Sequence, residues 1–136
     1  MKKQTIWWIL AIIMCVLIYK FTASPASTGS NTLQIIERIT GLNNEIAGVL
    51  NFIIRKLAHI SVFGLLGIFL YNAIQKNKLS IAWFLTTLYA ASDEFHQSLV
   101  PNRTSSIYDV MLDSGGALLA ILIVRMFLRK NKNSKE

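Results

Sequence analysis

The stretch Leu57–Ile74, LAHISVFGLLGIFLYNAI, decides the fold class. It contains one histidine and no Asp, Glu, Lys or Arg. An apolar run of this length is typical of a helix that crosses a hydrocarbon core of about 30 Å. The composition agrees, because 53% of the 136 residues are hydrophobic and only 15% are charged, which leaves little polar surface to cover a soluble core. The sequence therefore predicts a membrane protein.

Outward from this stretch, three further apolar runs predict three more membrane helices. The predicted spans lie at about residues 5–22, 55–75, 79–98 and 109–128, and they pair as two hairpins. In the outer loop 24–54, Leu33–Leu42 has near-helical apolar spacing, which predicts a short amphipathic helix on the membrane surface. The predicted fold class is all-α, a polytopic membrane protein with a bundle of about four transmembrane helices plus this short helix. A single domain, 1–136, is expected at this length. A cleaved signal peptide is the rival interpretation of the first span.

The distribution of basic residues gives the predicted bundle a direction. The formal net charge is +7, but many Lys and Arg residues lie at the edges of apolar runs, where lipid headgroups explain them without a nucleic acid partner. The positive-inside rule makes the more basic side cytoplasmic, and it places both termini there. The basic residues on that side are Lys2, Lys3, Lys76, Lys78, Arg125, Arg129, Lys130, Lys132 and Lys135.

Polar side chains within the predicted spans gather near the outer end of the bundle. Residues three or four positions apart share a helix face, so the second, third and fourth spans each carry a polar stripe. A charged group at membrane depth costs about 2.5–3.5 kcal/mol on insertion scales, so such groups turn inward and pair. A shared, outward-opening pocket is the predicted result. The candidate catalytic residues are His59, Asp93, Glu94 and His96, and the candidate binding residues are Lys56, Gln97, Arg103, Asp109 and Asp113.

Each of these residues also has a purely structural interpretation. Lys56 is a possible snorkelling anchor, and Asp109 is a possible cap for the fourth helix. Arg103 could form an ion pair with Asp109 or Asp93, and Glu94 could face lipid headgroups. Small residues would let the helices approach closely around the pocket. These are Gly64, Gly67, Gly115, Gly116 and Ala117.

Two kinds of chemistry are open to the polar set. Acid–base catalysis would use a histidine beside a carboxylate, with Lys56 and Arg103 holding a phosphate. A divalent metal such as zinc or manganese is the second possibility, for which nitrogen and oxygen donors are suited. The donors are His59, His96, Glu94 and Asp113. The chain has no His-Glu-x-x-His motif and a single cysteine, so no metal ligand is assigned from the sequence and the cofactor is left unknown.

The same positions resemble the VanZ-like family. The resemblance rests on Arg55-Lys56-Leu57-Ala58-His59, on SDEFHQSLVPNR at 92–103, and on Asp109-Val110 with Asp113–Gly116. It implies a bacterial cell-envelope protein, multi-pass in the cytoplasmic membrane. The founding VanZ member is associated with resistance to the glycopeptide teicoplanin. Relatives often carry Asn where this chain has Asp113.

Three functions are then in view. The first is lowered susceptibility to glycopeptide or lipoglycopeptide antibiotics of the teicoplanin type, by binding or altering a lipid-linked cell-wall precursor or surface component. The second is a membrane-embedded hydrolase or transferase that uses His96 with Asp93 or Glu94 as acid and base. The third is a non-catalytic partner of a larger membrane complex. Membrane lipids are expected partners in every case, and the oligomeric state is not predicted.

Overall fold

The computed structural model describes residues 2–101, 103 and 105–133. Within them it contains five α-helices and no strand, with a short 3₁₀ turn at Pro25–Ser27. The all-α class and the extra short helix are therefore confirmed. The helices are α1 Lys2–Ala23, α2 Gly29–Thr40, α3 Asn44–Ala73, α4 Lys78–Ser98 and α5 Ile107–Asn133.

Three helices of the described chain are long and apolar enough to cross a membrane: Lys3–Ala23, Asn44–Ala73 and Ile107–Lys130. The remaining long helix, α4, has 21 residues and therefore a length of about 31 Å. Its charged Asp93 and Glu94 are buried against other helices rather than exposed to lipid. A bundle of about four membrane helices is consistent with this arrangement.

Local chemistry explains where α2 ends and α3 begins. Gly41 follows α2 in the left-handed conformation, with φ of 68°, and its N–H donates to the Glu37 carbonyl. Such a conformation favours glycine, which has no Cβ. The Asn43 side chain then accepts a hydrogen bond from the Ile46 N–H, which caps α3. In the sequence, Gly41 is typical of a helix end, and Asn43 or Asn44 is typical of the cap of the next helix. Pro101 and Asn102 likewise predict a break after the third span, but Asn102 lies outside the described residues, as do residues 134–136.

The third helix, α3, is the centre of the bundle and contacts each of the other four. The last turns of α1 and α4 lie at the level of the Lys56–His59 turn of α3 and the first turns of α5, and we call this the polar end. The opposite end holds both termini of the described chain, and there the Gln75 amide donates to Gln4 Oε1 at 2.9 Å. The apolar core between the helices consists of Ala11, Ile18, Phe63, Leu66, Leu70, Ala82, Ala90 and Ile121.

Glycines allow α3 and α5 to approach closely along one face. A Cβ added at Gly116 would lie 2.7 Å from Ile60 Cγ2, so the side chain has no room there. At Gly64 and Gly67 an added Cβ would lie 3.3 and 3.2 Å from its nearest neighbour on α5. An added Cβ at Gly115 would meet nothing within 4 Å. Three of the four predicted glycines therefore lie at this helix contact.

Candidate functional site

Three helices bring one histidine and two carboxylates together at the polar end. His59 comes from α3, Glu94 from α4 and Asp113 from α5, and one donor atom of each lies within 4.8 Å of the other two. His59 Nδ1 lies 3.2 Å from Asp113 Oδ2. We call these three residues the carboxylate–histidine cluster. They are far apart in sequence, so only the packing of the bundle joins them.

The Asp113 side chain on α5 is almost completely buried, with 1% of its surface exposed. Its Oδ1 atom is also buried and has no hydrogen-bond partner within the described chain. A buried carboxylate oxygen without a partner is costly, because it has lost its water without gaining a donor. By contrast, the His59 side chain is 25% exposed, which leaves the cluster open on that side.

Glu94 is held by one side chain and one backbone group. The Gln97 amide donates to Glu94 Oε1 at 3.2 Å, and the Ser106 N–H donates to Glu94 Oε2 at 2.9 Å. The second bond ties the end of α4 to the residue just before α5. Because Gln97 is one helical turn from Glu94, the local helix geometry fixes the first bond. Glu94 is buried and does not face headgroups.

Asp93 takes part in a different set of contacts from its neighbour Glu94. Thr22 on α1 donates its hydroxyl to Asp93 Oδ1 at 2.8 Å, in a buried contact. The same Gln97 amide donates to Asp93 Oδ2 at 3.0 Å. Asp93 thus joins α1 to α4, and Gln97 bridges the two adjacent carboxylates.

Lys56 and Asp109 form an ion pair between α3 and α5. Both side chains are partly exposed, and the ammonium also lies 5.3 Å from the centre of the Phe52 ring. Asp109 therefore pairs with Lys56, in addition to any role as a cap at the start of α5. The pair is next to the carboxylate–histidine cluster in sequence on both helices, one turn nearer the polar end.

Arg103 binds the loop after α1 rather than a carboxylate. Its guanidinium donates to the Ser27 carbonyl at 3.0 Å, to the Ser27 hydroxyl, and to the Phe21 carbonyl at 3.2 Å. A longer contact of 3.5 Å reaches Gln97 Oε1. Burial, and then the nearby Arg55, lower the pKa of the Arg103 guanidinium from its usual value, although an arginine stays charged. The predicted ion pair with Asp109 or Asp93 does not form in this structure.

His96 lies apart from the other histidine. Its ring stacks on Tyr19 of α1, with the ring centres 4.5 Å apart. Its Nδ1 atom is buried and has no hydrogen-bond partner among the described residues. His96 therefore faces α1, as Asp93 does, and not the carboxylate–histidine cluster. The structure therefore brings His59, and not His96, to the carboxylates.

Buried carboxylates are concentrated around the cluster. Asp93, Glu94 and Asp113 are all buried within the same end of the bundle. Within the described chain, the ion pairs are Lys56–Asp109 and His59–Asp113. Gln97, Thr22 and the Ser106 N–H donate hydrogen bonds to the Asp93 and Glu94 carboxylates, but these donors are neutral. The arrangement can take up protons or a cation, and it can hold a donor group on a ligand.

Some contacts at the polar end had no signal in the sequence. Thr22 is a single hydroxyl residue at the end of the first span, and Ser106 acts through its backbone N–H. A further polar contact lies one residue beyond Asp113, where Ser114 accepts a hydrogen bond from Trp83 Nε1 at 2.9 Å and lies 2.7 Å from the Thr87 hydroxyl. Single hydroxyl and amide groups follow no helical pattern, so spacing could not single them out.

Comparison with known proteins gives one result. No curated protein and no solved structure matches the chain significantly. The VanZ/LLP1 family model matches residues 6–128, which include the carboxylate–histidine cluster and the residues that contact it. This membrane protein therefore belongs to the VanZ/LLP1 family.

Proposed function

We propose that this VanZ-like envelope protein lowers susceptibility to teicoplanin-type antibiotics by binding or altering a lipid-linked or surface component of the cell envelope. The site would be the polar end of the bundle. The observation that carries the proposal is the convergence of His59, Glu94 and Asp113 from three helices. Ionisable residues among membrane helices are expensive and typically mark a functional site.

The contacts around the cluster support a role in binding rather than in packing alone. Packing would be served as well by apolar residues, which often replace buried ion pairs without loss of stability. Here Gln97 and the Ser106 N–H hold Glu94 in place, while His59 keeps part of its ring exposed. A fixed carboxylate beside a partly open histidine is an arrangement suited to a polar ligand.

We infer that the polar end faces away from the cytoplasm. Eight basic residues of the described chain lie towards the opposite end: Lys2, Lys3, Lys76, Lys78, Arg125, Arg129, Lys130 and Lys132. Five lie towards the polar end: Lys20, Arg38, Arg55, Lys56 and Arg103. The positive-inside rule favours the richer side as cytoplasmic. The polar end would then meet the outer leaflet, where a surface component of the envelope is within reach.

The test is expression in a susceptible bacterium, with the minimal inhibitory concentration of teicoplanin as readout. The wild-type chain should raise it, and His59→Ala, Glu94→Gln and Asp113→Asn should each return it to the empty-vector value. Met111→Ala is the matched control, because Met111 lies on α5 beside the cluster and is exposed towards lipid. It should protect as well as the wild type.

Immunoblots of membrane fractions must show equal amounts of each variant. A wild-type chain without effect on teicoplanin susceptibility would contradict the proposed antibiotic role. Full protection by all three cluster variants would contradict the proposed site.

A second candidate function is a membrane-embedded hydrolase or transferase that acts on a lipid-linked envelope substrate. The observation in its favour is the 3.2 Å contact of His59 Nδ1 with Asp113 Oδ2, because a carboxylate that orients a histidine is the usual support for a general base. In this candidate, His59 takes the acid–base role that the sequence analysis proposed for His96. Lys56 is one helical turn from His59, so it could bind an anionic group of the substrate if that group displaced Asp109 from the ion pair.

Purified protein incubated with envelope lipids, followed by mass spectrometry, tests this candidate. A new or depleted lipid species that requires His59 would support it. An unchanged lipid profile, with and without added divalent metal, would exclude it for the lipids supplied and favour the binding role.

A further inference from the structure

We propose that His59, Glu94 and Asp113 form a binding site for a divalent transition-metal ion, with zinc as the best match. The inference rests on the proposed functional site, and it names the cofactor that this site would use. One imidazole nitrogen and two carboxylate oxygens form a donor set suited to zinc, and also to manganese. The sequence alone did not give this set, because it offered His96 as an equal candidate.

The geometry of the three donors is close to what a metal requires. Zinc bonds to nitrogen and carboxylate oxygen are about 2.0–2.2 Å long, so tetrahedral donors lie about 3.3 Å apart. His59 Nδ1 and Asp113 Oδ2 are 3.2 Å apart. The whole set lies within 4.8 Å, so the farthest pair must close by at most about 1.5 Å, which small side-chain rotations can supply.

The second observation is the buried Asp113 Oδ1 atom, which has no partner within the described chain. A carboxylate that is almost fully buried normally satisfies both oxygens. A metal ion bound by both oxygens of Asp113 would give Oδ1 a partner and would also offset the negative charge of Glu94. Lys56 does not supply the compensating positive charge, because it is paired with Asp109.

The supporting contacts are those expected around a metal ligand. Gln97 and the Ser106 N–H donate to Glu94, which would fix the orientation of that carboxylate. The exposed edge of His59 gives an ion a route into the cluster. Three protein ligands leave one position of a tetrahedral ion open, which is the pattern of catalytic rather than structural zinc sites. A phosphate or carboxylate oxygen of an envelope component could bind there.

Metal binding can be measured without an activity assay. The full chain is purified in detergent, stripped with a chelator and titrated with zinc chloride in a calorimeter. We expect one ion per chain, with affinity at least tenfold lower in Glu94→Gln and in Asp113→Asn. X-ray absorption at the zinc edge should show one imidazole and oxygen ligands, without sulfur.

His96→Ala is the comparison variant, because it removes the other histidine while leaving the three proposed ligands in place. It should bind zinc with wild-type affinity, whereas His59→Ala should lose binding. Size-exclusion profiles and melting temperatures show whether each variant is folded. Glu94→Gln keeps the shape of the side chain, so it serves if an Asp113 variant does not fold.

Several outcomes would overturn the metal site. The first is that the wild type binds no zinc. The second is that His59→Ala, Glu94→Gln and Asp113→Asn all bind zinc as tightly as the wild type. The third is that only His96→Ala loses binding. The proposed function fails separately. If zinc binds at the cluster but the variants still protect against teicoplanin, the metal site is retained and the antibiotic role is wrong. If the variants lose protection but the wild type binds no zinc, the metal inference is wrong and the functional site is retained.

Discussion

The same two helices, α3 and α5, pack in opposite ways at their two ends. At the polar end their contact holds His59 against Asp113 and Lys56 against Asp109. Towards the opposite end, Ile121 of α5 lies against Gly67 of α3, and both Ile121 and Leu66 are fully buried in the apolar core. Apolar side chains would serve at both ends if packing were the only requirement. The proposed site would account for this difference, because buried polar groups carry a cost that the apolar side chains do not bear.

The largest expected effect separates function from stability at the polar end. In the double variant His59→Leu/Asp113→Leu, teicoplanin protection should fall to the empty-vector value. The melting temperature should stay level or rise, because apolar residues often replace a buried charged pair without loss. Protection assays and thermal unfolding in detergent measure the two effects. A protein that unfolds and loses protection together would show that the pair serves structure, and the contrast between the ends would fail.

The next effect belongs to the apolar end, where stability should be lost. Leu66→Ala should lower the free energy of unfolding by about 2–5 kcal/mol, since Leu66 is completely buried. Leu65→Ala is the matched control, because Leu65 is next to Leu66 in sequence but is 44% exposed. Chemical or thermal unfolding in detergent measures both. Equal losses for Leu65 and Leu66 would contradict the packing described here.

A smaller effect tests the close approach of the helices between these two regions. Gly116→Ala should cost about 1–3 kcal/mol, because the new Cβ would lie 2.7 Å from Ile60 Cγ2 and would push α3 away from α5. The adjacent Gly115→Ala should be neutral or slightly stabilising, because its Cβ meets nothing within 4 Å and alanine favours a helix.

Because Gly116 is one turn from Asp113, Gly116→Ala should also weaken any ligand bound at the cluster. The stability difference between the two glycine variants is the measurement. A Gly116→Ala protein as stable as the wild type would show that the helices can separate at this level without cost.

The sequence predicted much of this fold because its signals are local. Apolar length gave the spans, and Gly41 and Asn43 marked the end of one helix and the start of the next. Burial cost and helical spacing together gathered the polar residues at one end. Spacing shows which residues share a face, but it does not show which neighbouring helix that face meets. For this reason His59 and His96 were equal candidates until the packing separated them.

The smallest expected effect concerns a contact that no pattern indicated. Thr22→Val keeps the shape of the side chain but removes the hydroxyl that donates to Asp93 Oδ1. The loss should be about 0.6 kcal/mol, the average for hydrogen bonds between membrane helices, because Gln97 still donates to the other oxygen of Asp93. Thr22→Ser, which restores the hydroxyl, should recover most of the stability. If Thr22→Val were as stable as the wild type and Thr22→Ser were not, the methyl group rather than the hydrogen bond would be what joins α1 to the polar end.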